Sequence, residues 1–383
     1  MQAKIERAVL LRCLGHIQSV VERRNTIPIL SNVLIEAMSG SDAAGIIRVT
    51  ATDLDMQIVE QVAAKVESAG AVTVSAHLLF DIARKLPEGS EVALDAGGDA
   101  AGGEMRVAAG RFGSRLKTLP RDDFPIIASG DLPCQFEMAA KDIISIIEKT
   151  RFAISTEETR YYLNGIFWHV TDDEGGGGGS LLRAAATDGH RLARYTLPCP
   201  VGAAGMPDII VPRKCVAELH KLLSEGGTDQ VRLELSASKA RFTFGSAVLT
   251  SKLIDGTFPD YTRVIPTGND KLLKVDPRAL GQGVDRVATI ASDKTRAVKM
   301  AVDAGGVTLS VTSPENGTAS EEVAGDYASE SLEIGFNARY LADIIGQIEG
   351  DVVEMHFADA AAPTLIRESA DNPALYVLMP MRV

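Results

Sequence analysis

Four cysteines among 383 residues, at positions 13, 134, 199 and 215, stand alone with no C-x-x-C spacing. That isolation excludes the usual zinc patterns and argues against a disulfide framework. Cys13 falls on the apolar face of a predicted helix and reads as core. No apolar run is long enough to span a membrane. The opening MQAKIERAVL mixes acid and base before any apolar stretch, so no secretory signal is expected and the location is read as cytoplasmic. Catalytic signatures are missing too: there is no G-x-S-x-G elbow, P-loop, H-E-x-x-H or G-x-G-x-x-G after a strand. Base is in deficit, with 39 Lys and Arg against 51 Asp and Glu, a net charge of −12. Taken over the whole chain this opposes nucleic-acid binding, because phosphate contacts need cations. Bases segregated onto one surface would restore it, so their distribution matters more than their total.

What is present is repetition. The length calls for two to three domains, and apolar residues at 45% can fill several cores. Three helical segments align: VSAHLLFDIARKLPEG (74–89), VPRKCVAELHKLLSEG (211–226) and FNARYLADIIGQIEGD (336–351). Each carries an acid (Asp81, Glu218, Asp343), an aliphatic next to it, and another four residues on. Phe124-Pro125 and Phe258-Pro259 echo the same interval, close to a third of the chain. Landmarks sharing one offset point to three copies of one plan. A first helix precedes each copy's strands: Ile5 to about Arg23, Lys141 to Lys149, and one opened by Asp276 as N-cap with Pro277 at the first position. Strands are expected at Ile27 to Ala37, Ile46 to Thr50, Gln57 to Val66 and Tyr161 to Val170. Each copy then holds two helices and about eight strands, and edge-to-edge joining of copies would cover exposed sheet edges. The glycine run 175–179 reads as a hairpin tip, not a phosphate loop.

The stretch ATDGHRLAR (186–194) is the chemical centre of the chain. Gly189 permits positive φ, and Asp188 can bond its own turn. ATDLDM (51–56) is its partial twin. Asp188 and His190 could suggest acid–base catalysis, and so a hydrolase, but nothing completes a catalytic set. Basic residues recur on the helices: Arg12, Arg23, Arg84, Lys85, Lys141, Lys149, Lys214 and Lys221. They are either solvated faces or a sequence-blind phosphate surface. The terminal LYVLMPMRV is either a last core strand or, with Pro380 lacking a donor and two methionines beside it, part of a binding groove.

ATDGHRLA, RYYLNG (160–165), FPDYTRVIP (258–266), LPRDDFP (119–125) and the final MPMRV together resemble the bacterial β sliding clamps, the β subunits of DNA polymerase III. The likeness runs from IPIL (27–30) to the last residue. It implies an α+β fold of three topologically similar clamp domains, here 1–128, 129–266 and 267–383. Antiparallel sheets would lie outside and two helices per domain would line a central hole, in a ring closed as a homodimer. The ring would be non-catalytic and without cofactor or metal, and would encircle double-stranded DNA with an acidic exterior and a basic lining. A DNA-binding protein without topological closure is the other reading. The resemblance assigns DNA contact to Arg24, Tyr161 and Tyr162. It assigns a peptide pocket to Leu163, Thr187, Gly189, His190, Arg191, Leu192, Pro259, Arg263, Val264, Val377, Met379, Pro380, Met381 and Arg382. That pocket would dock the replicative polymerase's catalytic subunit, the clamp loader, translesion polymerases, mismatch-repair proteins and ligase through a short peptide motif. Leu116 and Ile290 are the candidate dimer contacts. Two positions depart from the family: Glu157 ahead of RYYLNG, expected to repel phosphate, and Pro363 at the pocket rim. The glycine run is an insertion.

Overall fold

Alternating buried and exposed residues define most of this chain, and they assemble into two twelve-stranded antiparallel sheets. A computed structural model describes residues 1–23, 26–40, 44–97, 103–128, 130–172, 179–291 and 296–382. Among these it holds 24 strands and six helices: α1 (Arg7–Ile17), α2 (Ala76–Lys85), α3 (Ala140–Thr150), α4 (Arg213–Ser224), α5 (Pro277–Ala288) and α6 (Ala338–Ile345). The three aligned helical segments become α2, α4 and α6, each entered from a strand: Gly70–Ser75, Ile209–Pro212 and Leu332–Asn337. Asp276 caps α5 as expected, accepting from the Arg278 and Ala279 amides. No helix among the described residues is long and apolar enough to cross a membrane.

Joining of repeats by their sheet edges occurs twice. In the first sheet Met56–Ser68 pairs with Ala247–Lys252, so strands of the first and middle repeats run on as one sheet. In the second, Arg191–Pro198 pairs with Ala374–Leu378, joining middle and last repeats. By packing, the chain divides into two units: residues 1–141, 200–207 and 214–253 form one, and 142–199, 208–213 and 254–383 the other. The middle repeat is shared between them. Strands continue across sequence repeats because an unpaired edge exposes a row of backbone donors and acceptors that another strand can satisfy.

Three local expectations are corrected. Ile5 lies in the strand Gln2–Glu6, and the helix runs only from Arg7 to Ile17. Ala3 and Ile5 are buried at period two, a strand signal that the following helical spacing obscured. The strand expected from Ile27 begins instead with a 3-10 turn, Pro28–Ser31, before Asn32–Ser39. Likewise Tyr161 to Leu163 lie in a 3-10 segment, Glu158–Leu163, and the strand starts at Gly165. A Cβ on Gly165 would stand 2.3 Å from the Val211 carbonyl, so the close strand approach there requires glycine. The strands flanking the glycine run do pair, Asp172 opposite Ser180; positions 175–178 lie outside the described residues.

Candidate functional site

The turn at Thr187 to Arg191 is closed by its own side chains. Gly189 takes φ +88°. Asp188 Oδ1 accepts from the His190 and Arg191 amides at 3.0 and 3.1 Å. Thr187 Oγ1 accepts from the Gly189 amide at 3.1 Å and donates to the Arg191 carbonyl at 2.7 Å. Arg191 then reaches inward. Its Nε donates to Asp188 Oδ2 at 3.1 Å, Nη1 to Asp343 at 2.5 Å and Nη2 to the Phe152 carbonyl at 2.6 Å. Its guanidinium lies 4.4 Å from the Tyr340 ring centre, a cation–π distance. At 8% exposure it pins the turn to α6. The His190 ring stacks on Tyr340 at 5.9 Å and makes no hydrogen bond to Asp188 among the described residues. The acid–base pair weighed from sequence is therefore a turn and a ring stack.

Beside this turn opens a cavity of roughly 270 Å³. Four remote segments build it. The 3-10 segment Glu158–Leu163 contributes Leu163. The turn contributes Thr187, Gly189, Arg191 and Leu192. Pro259 precedes and Val264 ends a second 3-10 segment, Tyr261–Val264, capped by Asp260, which accepts from the Thr262 amide. The last strand brings Val377 opposite Leu192, and Met379 follows with its amide donating to the His190 carbonyl at 2.9 Å. Leu163, Leu192 and Val377 are buried in one apolar cluster with Phe258 and Tyr261. Val264 and Met379 stand partly exposed at the rim. The arrangement offers an apolar floor, a flexible thioether edge and backbone polar groups, which suits an extended peptide's side chains.

The other assigned pocket residues lie around rather than in the cavity. His190 supplies its carbonyl to the tail. Arg263 is exposed and pairs with Asp260 at 3.1 Å. Met381 donates its amide to the Gly335 carbonyl at 2.9 Å, past Pro380, and Arg382 is exposed. Pro363 is not a lining residue; its carbonyl accepts from Asn269 at 2.9 Å. Four lining residues were missed: Arg160, Tyr162, Asp260 and Tyr261. All four sit inside RYYLNG and FPDYTRVIP, so the motifs located them, but which side chains turn inward depends on the two 3-10 segments.

Tyr162, an expected DNA contact, also lines the cavity. Tyr161, packed edge-to-face on it at 5.8 Å, is 54% exposed. Arg24 lies outside the described residues. Glu157 does not stand as a bare negative charge: Arg160 donates to it twice, at 2.8 and 2.6 Å, and holds its carboxyl below the usual range. Several helix cations are likewise committed. Lys149 donates to the Gln347 carbonyl and to Glu349, Lys221 to the Gly15 carbonyl and Ser19, and Lys214 to the Val20 carbonyl and Asp53. They stitch helices together, while Arg12, Arg23, Lys85 and Lys141 remain exposed. Leu116 is 5% exposed within its own sheet, so its side chain is core, although its strand Phe112–Lys117 ends the first sheet. Ile290 lies in the turn after α5 and is half-buried. No cluster of three or more His, Cys, Asp or Glu able to hold a metal occurs among the described residues.

Residues 1–128, 137–260 and 262–382 match, in turn, the models for the N-terminal, central and C-terminal domains of the DNA polymerase III beta subunit. The chain is 50% identical, over all of both chains, to the beta sliding clamp of Caulobacter vibrioides. It is 36% identical to that of Escherichia coli, again over all of both. The chain belongs to the DNA polymerase III beta subunit family. A solved DNA polymerase sliding clamp from Caulobacter crescentus matches with TM-score 0.92 at 50% identity, covering both chains fully. The Bartonella birtlesii sliding clamp, solved bound to griselimycin, matches with TM-score 0.95 at 48% identity over all of both. The protein is therefore a sliding clamp of three clamp domains, a non-catalytic processivity factor. The hydrolase reading falls with the missing Asp188–His190 geometry and with the family.

Proposed function

We propose that two copies of this clamp close as a ring around duplex DNA in the cytoplasm and that replication and repair proteins dock a short peptide in the cavity beside Gly189. The domains divide at 128/129 and 266/267. The observation that carries the docking reading is convergence: four segments far apart in sequence, the chain's tail among them, meet around one apolar cavity. Partners would be the polymerase's catalytic subunit, the clamp loader, translesion polymerases, mismatch-repair proteins and ligase, all reading one site. Two buried apolar anchors contribute roughly 2–3 kcal/mol each against an association cost of several kcal/mol, which places a short peptide near micromolar affinity. Tyr161 and Arg24 would touch DNA weakly and salt-dependently, topology doing the holding.

Two measurements test this. A labelled peptide with a glutamine and leucine and phenylalanine anchors is titrated against the full chain and against a chain lacking Met379 to Val383. Truncation is expected to weaken binding at least a hundredfold while the dimer persists; unchanged affinity places the groove elsewhere. For closure, the clamp loaded on circular DNA is expected to stay bound until the circle is cut. Equal retention on linear DNA would mean contacts alone hold it. For the seam, Ile290→Asp is the informative single change, because Leu116→Asp would also damage the first repeat's core.

A further inference from the structure

Beyond the cavity floor, the same sheet face carries two arginines that no carboxylate among the described residues claims. Strands Ser180–Thr187 and Arg191–Pro198 pair with Arg183 opposite Thr196 and Ala185 opposite Arg194. Both side chains therefore rise from the face that carries Leu192, two residues before Arg194. Leu192 floors the cavity, so Arg194 is rooted about 7 Å further along the strand. On the neighbouring strand His169 stands opposite Arg183, and its Nε2 lies 2.8 Å from the Tyr261 hydroxyl. Tyr261 also lines the cavity and so borders both places.

The charges here are unbalanced. Arg183 Nε, Arg194 Nε and Thr196 Oγ1 are buried without a hydrogen-bond partner. Among the described residues neither arginine forms an ion pair. Burial first, and then the like charge of Arg183, holds the Arg194 guanidinium below its ordinary pKa. Of the acids close by, Asp208 acts on His169 and Asp260 on Tyr261. His169 is held low by burial first, so near neutral pH it adds no charge of its own. Two half-buried like charges are costly unless an anion completes them, and paired guanidinium groups suit the planar fork of a carboxylate.

We propose that Arg194, together with Arg183, forms a carboxylate subsite that reads an acidic side chain carried by a docked peptide just outside its apolar anchors. This rests on the reading of the cavity as a peptide dock. An extended peptide advances about 3.3 Å per residue, so an acid two or three residues from an anchor above Leu192 comes within reach of Arg194. The subsite would rank partners that share the same anchors by the charge beside them.

The test uses the full-length dimer and a set of anchor peptides identical except for glutamate, glutamine or lysine at each flanking position. At one position glutamate is expected to bind about five- to tenfold tighter than glutamine, and the gain should shrink as salt rises. Arg194→Gln should erase that preference yet bind the glutamine peptide as before. Arg194→Glu should turn the preference towards lysine, which a merely structural arginine would not do. Equal binding of glutamate and glutamine peptides at every position overturns the subsite, as does a site that takes inorganic phosphate without preferring the glutamate peptide. Failure of all the peptides to bind overturns the docking reading instead, so the two failures are distinguishable.

Discussion

Two turns in this clamp are built alike and put to different use. In the first unit Thr52 Oγ1 accepts from the Leu54 amide and donates to the Met56 carbonyl, while Asp53 Oδ1 accepts from the amides of Asp55 and Met56. Thr187 and Asp188 repeat each of these bonds in the second unit. Even the left-handed residue recurs, Leu54 at φ +80° and Gly189 at +88°. Each turn is then tied to a helix of the next repeat, Asp53 to Lys214 on α4 and Asp188, through Arg191, to Asp343 on α6. The difference lies in three side chains. Where the first turn has Leu54, Asp55 and a core Met56, the second has Gly189, His190 and a buried, fully bonded Arg191. The first unit's neighbouring cluster, Ile29, Leu30, Leu34 and Phe124, is buried; the second unit's cluster opens onto the cavity. One scaffold thus closes on a buried cluster in one repeat and borders the cavity proposed for docking in the next, and a few residues decide which.

Exchanging those residues breaks the comparison in graded steps. Arg191→Met, which gives the second turn the first turn's residue, should cost most, about 3–5 kcal/mol, because it leaves buried partners of a charge unpaired. Chemical denaturation checks it, and a loss under about 1 kcal/mol would mean Arg191 is not the pin described. Gly189→Leu comes next. Leu54 shows that the backbone accepts leucine, at about 1–2 kcal/mol of strain, but the new Cβ would stand 2.5 Å from Arg160 Nη1. Arg160 must move from the cavity wall, so peptide affinity should fall about tenfold, roughly 1.4 kcal/mol; titration giving full affinity would remove Arg160 from the site. The reverse exchange, Leu54→Gly, should stabilise the first unit by no more than about 1 kcal/mol, with peptide binding unchanged.

The smallest effect separates the units by pH. His16 in the first unit lies 2.8 Å from both Glu60 and Glu225, and its pKa is raised, chiefly by the Glu60 hydrogen bond. Its contribution is complete below the ordinary histidine value and is lost as pH rises through the folded one. In the second unit burial lowers His169 and His356, so their contributions are lost as pH falls below the ordinary value. Stability curves of His16→Gln and His169→Gln against the parent should therefore change slope with pH in opposite directions. A shared direction would break the contrast.

The periodicity of α2, α4 and α6, the Asp276 cap and the bonding of ATDGHR were all legible in the sequence. Each is settled within a few residues, by spacing, capping or an aspartate's reach to its own backbone. The repeat, too, could be counted before any fold was in hand. Which wall Tyr162 belongs to could not be read, because it depends on the 3-10 segment Glu158–Leu163, nor that Arg191 is spent inside, because its partner Asp343 stands 152 residues away. The cavity exists only because Ala374–Leu378 pairs with Arg191–Pro198 and brings Val377 to Leu192. Strand edges carry no local label for their partners: any unpaired edge offers the same backbone groups, and only packing of the assembled faces selects the register. Local bonding thus determined the turn, while long-range strand pairing alone decided that it would border a cavity.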